Sequence, residues 1–267
     1  MNRIDRRFED LKAARQKALV IYLTAGYPDI ASTERIVYEL DRRGVDIVEL
    51  GVPFSDPIAD GPTIQAAFER ALKNGVNIKV ILGLVRKVRK RSDIPIVLMT
   101  YFNPVYHYGV VEFARDAKTA GVDGVIVPDL PPEEAAGLIK ESKRHDFKDI
   151  FFLSPTSSRE RMRSVSESST GFIYYVSLTG VTGARRRIPA QIAQNVRLIK
   201  RLTDKPVCVG FGISTPAQAR AVAGIADGVI VGSAVIKIIE KHADSIDATE
   251  AVGRFASSIL EQVRRAR

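Results

Sequence analysis

The feature that most constrains the fold of this chain is a regular alternation of short apolar runs with longer helical segments. The helical segments carry apolar residues at helical spacing, and an extra one, Arg3–Ala14, precedes the first apolar run. The runs are apolar at nearly every position, which is typical of parallel strands covered on both faces. Eight βα units predict an α/β fold, a parallel (β/α)8 TIM barrel with an extra N-terminal helix; an open doubly wound sheet is the alternative. The eight predicted strands are Leu19–Thr24, Ile47–Gly51, Ile96–Tyr101, Gly124–Val127, Ile150–Leu153, Phe172–Ser177, Val207–Gly210 and Gly228–Val231.

The organisation of the chain favours one barrel domain over residues 1–267, whereas its length alone favours neither one domain nor two. No linker rich in Ser, Pro or Gly divides the chain, and its 45% of hydrophobic residues is enough for a large core. Neither the charged segment Met1–Asp10 nor any later segment resembles a signal peptide or a membrane span. The only cysteine, Cys208, lies in an apolar run and is expected to be a buried thiol. We therefore expect a cytoplasmic protein without an internal disulfide.

The formal net charge of +9 raises the question of nucleic-acid binding. The basic residues fall mostly on helical segments such as Leu84–Arg91 and the tail Val263–Arg267, where they alternate with apolar positions. This distribution is typical of solvated outer helix faces, and no aromatic stacking motif or nucleic-acid module accompanies it. The sequence therefore predicts neither a nucleic-acid partner nor a membrane partner.

Two carboxylates near the second predicted strand are the strongest candidates for catalysis. Glu49 lies inside the apolar run IVELG, where an acidic side chain is costly unless it faces a polar cavity; a structural ion pair is the alternative. The following loop, GVPFSDPIADGPT, adds Asp56 and Asp60 in a segment stiffened by three prolines. Barrels carry their active sites at the carboxyl ends of the strands, which favours Glu49 and Asp60. For Asp60, a capping role at the helix that begins near Pro62 is the alternative.

Glycine-containing turns after the last two predicted strands indicate a phosphate site. They are GFGIS at Gly210–Ser214 and GSA at Gly232–Ala234, and each leads into a helical segment. Barrels often bind phosphate with these two turns and the backbone N–H groups of a helix N-terminus. A simple strand-to-helix turn is the alternative for each motif taken alone. The loop that begins at Ser177, SLTGVTGARRRIP, contains two glycines and is predicted to be a mobile lid rather than a disordered surface loop.

The reactive groups that are missing from the strand ends restrict the chemistry. No lysine stands at the end of a predicted strand, so a Schiff-base aldolase lacks its amine. The three histidines are scattered, which predicts no metal site, and no nucleophile motif or dinucleotide fingerprint is present. Carboxylates, backbone donors and three tyrosines remain, and their chemistry is proton transfer. The tyrosines are Tyr22, Tyr101 and Tyr174.

Five sequence blocks together resemble the alpha-subunit family of tryptophan synthase over nearly the whole chain. The resemblance runs from LTAGYPD at Leu23 to GSAVIKII at Gly232, and it is specific because the five blocks stand in the family's order. It implies retro-aldol cleavage of indole-3-glycerol phosphate to indole and glyceraldehyde 3-phosphate, with no cofactor in this chain. The blocks are VELGVPFSDPIADGPTIQAA from Val48, YFNPVYHYG from Tyr101, VPDLPPEE from Val127, VSLTGVTGAR from Val176 and VGFGIS from Val209.

The resemblance also implies a role for individual residues. Glu49 is expected to protonate indole C3 and to remove the hydroxyl proton, while Asp60 stabilises positive charge at the ring nitrogen N1. Tyr174 matches a tyrosine near the catalytic acid, and only one of Tyr174 and Tyr175 can face inward. Phosphate contacts carry over to Gly183, Phe211, Gly212, Gly232 and Ser233. The indole pocket carries over to Tyr22, Met99, Ile126, Phe152, Thr182 and Phe211.

The resemblance further implies a partner, the beta subunit of tryptophan synthase, in an alpha2-beta2 complex. Indole is expected to pass to that subunit, which is expected to hold pyridoxal phosphate. Asp56, Pro57, Asn103 and Pro131 match family positions that contact the partner. Three alternatives stay open: a stand-alone lyase that releases free indole, a binding module that mainly activates its partner, and another phosphate-handling barrel such as an isomerase.

Overall fold

The computed structural model describes residues 1–176, 190–210, 212–242 and 247–266, and within them nine parallel strand segments form one sheet. The strands are buried along almost their whole length, as expected when helices cover the sheet. The segments are β1 (Ala18–Thr24), β2 (Ile47–Gly51), β3 (Ile96–Met99), β4 (Gly124–Ile126), β5 (Lys148–Ile150), β6 (Phe152–Leu153), β7 (Ile173–Val176), β8 (Val207–Gly210) and β9 (Gly228–Val231).

The sheet closes into a barrel. The hydrogen-bonded order is β5-β4-β3-β2-β1-β9-β8-β7-β6, so β5 and β6 lie at its two ends. These two segments follow one another in the chain with only Phe151 between them, so they continue each other and together fill the position between β4 and β7. Nine segments therefore fill eight barrel positions, which confirms the predicted barrel. Cys208 in β8 is buried, as predicted.

Helices surround this barrel, and several begin at side chains that cap their first turn. Asp29 accepts a hydrogen bond from the backbone N–H of Ser32, and Asn77 accepts one from that of Val80. No helix in the described part of the chain is long and apolar enough to cross a membrane. The helices are α1 (Arg3–Ala13), α2 (Ile30–Arg42), α3 (Pro62–Lys73), α4 (Ile78–Val88), α5 (Phe102–Tyr108), α6 (Val110–Ala120), α7 (Ala136–Arg144), α8 (Arg159–Ser168), α9 (Ala190–Leu202), α10 (Pro216–Ala223), α11 (Ser233–Lys241) and α12 (Asp247–Arg264).

Two predicted strands, the third and the fifth, differ from the observed ones by two residues at one end. The prediction extends the third strand to Tyr101, but β3 ends at Met99 because Tyr101 is the N-cap residue of α5, a helix the sequence reading missed. Pro104 lies in the first turn of α5, where backbone N–H groups make no intrahelical hydrogen bond, so a proline is tolerated there. The predicted fifth strand, Ile150–Leu153, in fact starts at Lys148 and is interrupted at Phe151.

Four hydrogen-bonded pairs fasten the amino ends of neighbouring strands, and we call them amino-end clasps. In three of them, the backbone N–H of an aspartate before one strand donates to the carbonyl of a residue at the start of the neighbouring strand. The backbone N–H of that residue in turn donates to the carboxylate of the aspartate. The three pairs are Asp46 with Leu19, Asp123 with Ile96 and Asp227 with Val207, with N–H to carboxylate distances of 2.7, 2.9 and 3.1 Å. In the fourth, the Thr170 hydroxyl accepts the N–H of Asp149 over 2.8 Å. The clasps satisfy strand-end donors that would otherwise be buried without a partner.

The extra N-terminal helix, α1, covers the amino end of the barrel. Arg3 pairs with Asp123 at 3.1 Å and Arg7 pairs with Asp46 at 2.6 Å, so the helix is held by the carboxylates of two clasps. Ile4 between them is fully buried. This closure leaves the carboxyl end of the barrel as the open end.

Candidate active site

A cavity of about 420 Å³ opens at the carboxyl ends of the strands. It combines the two candidate acids with tyrosine rings, aliphatic side chains and the turns after β8 and β9. Its walls are Tyr22, Glu49, Asp60, Gly61, Pro62, Thr63, Ile64, Met99, Tyr174, Gly212, Ile213, Ser214, Ile230, Gly232, Ser233, Ala234 and Lys237. The structure therefore brings most of the residues predicted for catalysis, phosphate binding and the indole pocket to one cavity.

Glu49 is a buried acid without an ion-pair partner. It lies on β2 beside Tyr22 of β1 in the sheet register, and its side chain is only 1% exposed. Neither carboxyl oxygen has a hydrogen-bond partner among the described residues. Burial, assisted by repulsion from Asp60, raises the pKa of Glu49 from its ordinary value of 4.5 to about 8. Glu49 is therefore protonated at neutral pH and is a proton donor facing the cavity.

Asp60 lies in the loop between β2 and α3 and is held by Tyr101. The Tyr101 hydroxyl donates a 2.7 Å hydrogen bond to Asp60 Oδ2 and accepts one from the N–H of Ala59. Burial raises the pKa of Asp60, while the Tyr101 hydrogen bond acts in the opposite direction by stabilising the carboxylate. Gly61 is the N-cap residue of α3, with no side-chain capping bond, so the Asp60 side chain faces Tyr101 instead of capping the helix.

Sequence reading did not assign a role to this Tyr101 contact. Tyr101 was noted as a strand-end tyrosine, but it lies 41 residues from Asp60 in the chain and their contact depends on β2 and β3 being neighbours. The ring of Phe54, 5.3 Å away, also packs against Tyr101. The only available signal was that both residues follow consecutive predicted strands.

Two cavity tyrosines lie over glycines of neighbouring strands. A Cβ atom at Gly51 would come within 2.1 Å of the Tyr22 hydroxyl, and a Cβ atom at Gly210 would come within 2.7 Å of the Tyr174 hydroxyl. Only glycine leaves room for the rings at these positions. Tyr174 lines the cavity, whereas the Tyr175 hydroxyl accepts a 3.0 Å hydrogen bond from Asn195 of α9, outside the barrel. Of the two adjacent tyrosines, Tyr174 is thus the inward one.

The two glycine turns differ in their capacity to bind an anion. At the start of α10, Thr215 and Gln218 form a capping box, and Gln218 Oε1 also accepts the N–H of Ser214, so protein groups already use these donors. At the start of α11, the N-cap is Gly232 and no side chain caps the first turn. The N-terminus of α11 therefore turns uncapped N–H groups and its positive dipole end toward the cavity.

Two further features lie at the same end of the cavity. Gly212 has φ +73°, a left-handed conformation that favours glycine. Lys237, one turn into α11, also lines the cavity; the sequence motif ends three residues before it and gives it no role. Its ammonium group adds a positive charge beside the uncapped N-terminus of α11.

Some predicted site residues take other positions. Ile126 is completely buried in β4, and Phe152 packs with its ring 4.6 Å from that of Tyr174; neither is part of the cavity wall. Ile64, Ile213 and Ile230 supply aliphatic wall instead, and the sequence reading had not selected them. The predicted lid, residues 177–189 with Thr182 and Gly183, lies outside the described residues, and so does Phe211.

The residues expected to contact a partner all lie on loops or helix starts at the carboxyl end of β2, β3 and β4. Asp56 and Asn103 are exposed, and Pro57 and Pro131 are half-buried. Two large apolar side chains are exposed on the same elements: Ile58 at 83% and Tyr106 at 72%. Because β2, β3 and β4 are consecutive in the sheet, these residues form part of one rim beside the cavity.

The site thus combines a neutral carboxylic acid, a second carboxyl group that accepts a hydrogen bond, an apolar wall and an uncapped helix N-terminus. Such a set can transfer a proton to a bound organic molecule, stabilise a positive charge that forms on it and hold an anionic group. In the part of the chain that the structure describes, no three His, Cys, Asp or Glu side chains form a group that could hold a metal ion.

Comparison with known proteins gives consistent results. The family model described as tryptophan synthase alpha chain matches residues 8–263. A tryptophan synthase alpha chain from Citrifermentans bemidjiense is 51% identical over 263 residues, which cover 98% of either chain. One from Geobacter sulfurreducens is 51% identical over 98% of this chain and 99% of its own. The crystal structure of tryptophan synthase subunit alpha from Legionella pneumophila strain Paris is similar with a TM-score of 0.92, at 41% identity over 99% of each chain.

Proposed function

Since this chain belongs to the tryptophan synthase alpha chain family, we propose that it cleaves indole-3-glycerol phosphate to indole and glyceraldehyde 3-phosphate. The observation that carries this function is the buried, neutral Glu49 beside Asp60 in one cavity. A carboxylic acid that keeps its proton at neutral pH is the group that protonation of a carbon atom requires.

Glu49 acts first as an acid and then as a base. Its proton passes to indole C3, which places a positive charge on the ring nitrogen, and the Asp60 carboxylate stabilises that charge. The Glu49 carboxylate then takes the proton of the side-chain hydroxyl next to C3. The bond between that carbon and C3 breaks, its electron pair returns to the ring, and the hydroxyl becomes the aldehyde. Glu49 ends the cycle protonated, ready for the next substrate.

Tyr101 is a positioning residue in this proposal. Its hydroxyl donates to Asp60 Oδ2, and this favours the ionised form of Asp60 that the cationic intermediate requires. Tyr174 is close enough to Glu49 and Asp60 for their charges to raise its own pKa, after the larger effect of burial. We assign to Tyr174 a place beside the catalytic acid, as a neutral hydroxyl.

The phosphate group of the substrate is proposed to lie at the N-terminus of α11. Its contacts are the backbone N–H groups at Gly232 and Ser233 and the turn at Gly212, with Lys237 nearby. The indole ring then lies against Tyr22, Met99 and the aliphatic wall. Gly183, Phe211 and Thr182 complete the proposed site from outside the described residues.

A beta subunit is the proposed partner, in an alpha2-beta2 complex with indole passed between subunits. The rim that carries Asp56, Pro57, Asn103 and Pro131 supports this assignment, since it lies beside the cavity and exposes Ile58. Pyridoxal phosphate is proposed to belong to the partner, and no step above uses a cofactor of this chain.

The proposal is tested by measuring indole formation from indole-3-glycerol phosphate, with and without added beta subunit. We expect Glu49→Gln to lose about 10²- to 10⁴-fold in turnover, because glutamine neither donates nor accepts the proton. Glu69→Gln, at an exposed position of α3, is the matched control and should turn over normally. Normal cleavage by Glu49→Gln would contradict the acid–base assignment. Full turnover by the isolated chain, unchanged by the beta subunit, would instead favour a stand-alone lyase.

A further inference from the structure

A second and larger cavity, of about 950 Å³, lies at the amino end of the barrel, opposite the candidate active site. We call it the amino-end cavity. Four separate parts of the chain form it: the end of α1 with the following turn, the end of α9 with the turn before β8, the turn before β9, and the end of α12. Its walls carry six basic side chains, Lys12, Arg15, Lys17, Lys200, Lys205 and Arg264, and two acidic ones, Asp204 and Asp227.

The two acidic residues do not balance this charge. Asp227 already pairs with two lysines of the cavity, Lys200 at 2.6 Å and Lys17 at 3.4 Å. Lys205 donates to the backbone carbonyl of Ser166, and burial lowers its pKa although the charge of Glu167 acts in the opposite direction. Arg264 pairs at 2.7 Å with Asp46, which lies behind the cavity wall, so an excess of three positive charges remains in the cavity.

Lys12 and Arg15 extend into this space without an acidic partner within ion-pair distance among the described residues. Arg15 has φ +54°, in the left-handed region. It follows α1 at the position where helices usually place glycine, with Arg15 N–H bonded to the Lys12 carbonyl and Gln16 N–H to the Leu11 carbonyl. A residue with a side chain is strained in this conformation relative to glycine. The arginine side chain is thus retained at a strained position that directs it to the cavity.

We propose that the amino-end cavity binds an anion that carries two or more adjacent phosphate groups. One phosphate group is much smaller than the cavity, and a single charge of −2 leaves part of the positive excess unbalanced. Phe8 and Leu11 add apolar wall, which suits an organic oligophosphate. Such a ligand contacts both the first and the last helix, since α1 and α12 both contribute to its site.

Isothermal titration calorimetry of the full-length chain with tripolyphosphate, at constant ionic strength, tests the proposal. We expect the variant Lys12→Ala with Arg15→Gly to bind tripolyphosphate at least about tenfold more weakly than the wild type. Glycine at position 15 removes the charge of Arg15 and adopts the left-handed conformation without strain, so this variant should fold at least as well as the wild type. Wild-type affinity should also be clearly higher for tripolyphosphate than for orthophosphate.

The matched control replaces one lysine and one arginine elsewhere, Lys73→Ala with Arg197→Ala, on exposed faces of α3 and α9. This control should bind tripolyphosphate as the wild type does. None of these variants alters the candidate active site, so any binding lost in the first variant alone belongs to the amino-end cavity. Equal affinities in all three proteins, or equal affinity for orthophosphate and tripolyphosphate, would overturn the proposal.

Discussion

Replacement of Glu49 by glutamine should change how the stability of this protein depends on pH. The folded state keeps the Glu49 proton up to about pH 8, whereas an unfolded chain releases it near the ordinary pKa of 4.5. Between these values the folded state binds more protons than the unfolded state, so the free energy of unfolding falls as pH rises through this window. Below about 4.5 and above about 8 this contribution is constant.

The magnitude follows from the pKa difference of about 3.5, at about 1.36 kcal/mol for each pKa unit. The free energy of unfolding of the wild type falls by about 5 kcal/mol across the whole window, and about 4 kcal/mol of this decrease lies between pH 5 and pH 9. Glutamine has nearly the same shape as the protonated acid and does not titrate. The stability advantage of Glu49→Gln over the wild type should therefore grow by about 4 kcal/mol from pH 5 to pH 9.

Urea unfolding followed by far-ultraviolet circular dichroism at a series of pH values measures this difference. A change of about 4 kcal/mol corresponds to a shift of more than about 1 M in the urea midpoint. The control is Glu69→Gln, which replaces an exposed side chain of α3, and its curve should run parallel to that of the wild type. A parallel curve for Glu49→Gln as well would refute the reasoning that burial keeps Glu49 neutral.

Three further substitutions test other contacts of the site and the barrel. Tyr101→Phe removes the hydrogen bond that stabilises ionised Asp60, so the acidic limb of the kcat/KM profile for indole formation should move to higher pH and activity on that limb should fall. Gly51→Ala places a methyl group 2.1 Å from the Tyr22 hydroxyl and should lower stability in thermal unfolding by about 1–3 kcal/mol while raising KM. Burial raises the pKa of Asp149 from 3.8 to about 6, so the free energy of unfolding of the wild type falls as pH rises through that window. Above about pH 6, Asp149→Asn should therefore exceed the wild type in free energy of unfolding by up to about 3 kcal/mol, as measured by urea unfolding.

The parts of the site that the sequence predicts are those with a local signal. Glu49 stands out because an acid inside an apolar strand is costly wherever the strand lies in the fold. The helix start at Gly232 is visible because two glycine turns follow the last two predicted strands, the positions at which barrels often bind phosphate. The barrel itself follows from the alternation of strands and helices, which is also a local pattern.

What the sequence does not reveal depends on contacts between distant segments. The pairing of Tyr101 with Asp60 needs the register of two strands and the path of the loop between them. Ile126 is the register neighbour of the cavity residue Met99, but it is completely buried and is not part of the cavity wall, a difference that the sequence does not show. The break at Phe151 has no turn residue to mark it, so the fifth strand was read as continuous.

The amino-end clasps suggest how this barrel divides into modules. Each clasp joins two neighbouring strands: β1 with β2, β3 with β4, β5 with β7, and β8 with β9. Chain termini moved by circular permutation to the turn around Asp146, between two modules, leave every clasp within a short stretch of chain. New termini at Gly44 instead separate Asp46 from Leu19 by most of the sequence, which makes that clasp slow to form. Four paired-strand modules, rather than eight equal units, are thus the natural pieces for recombining this barrel with its relatives.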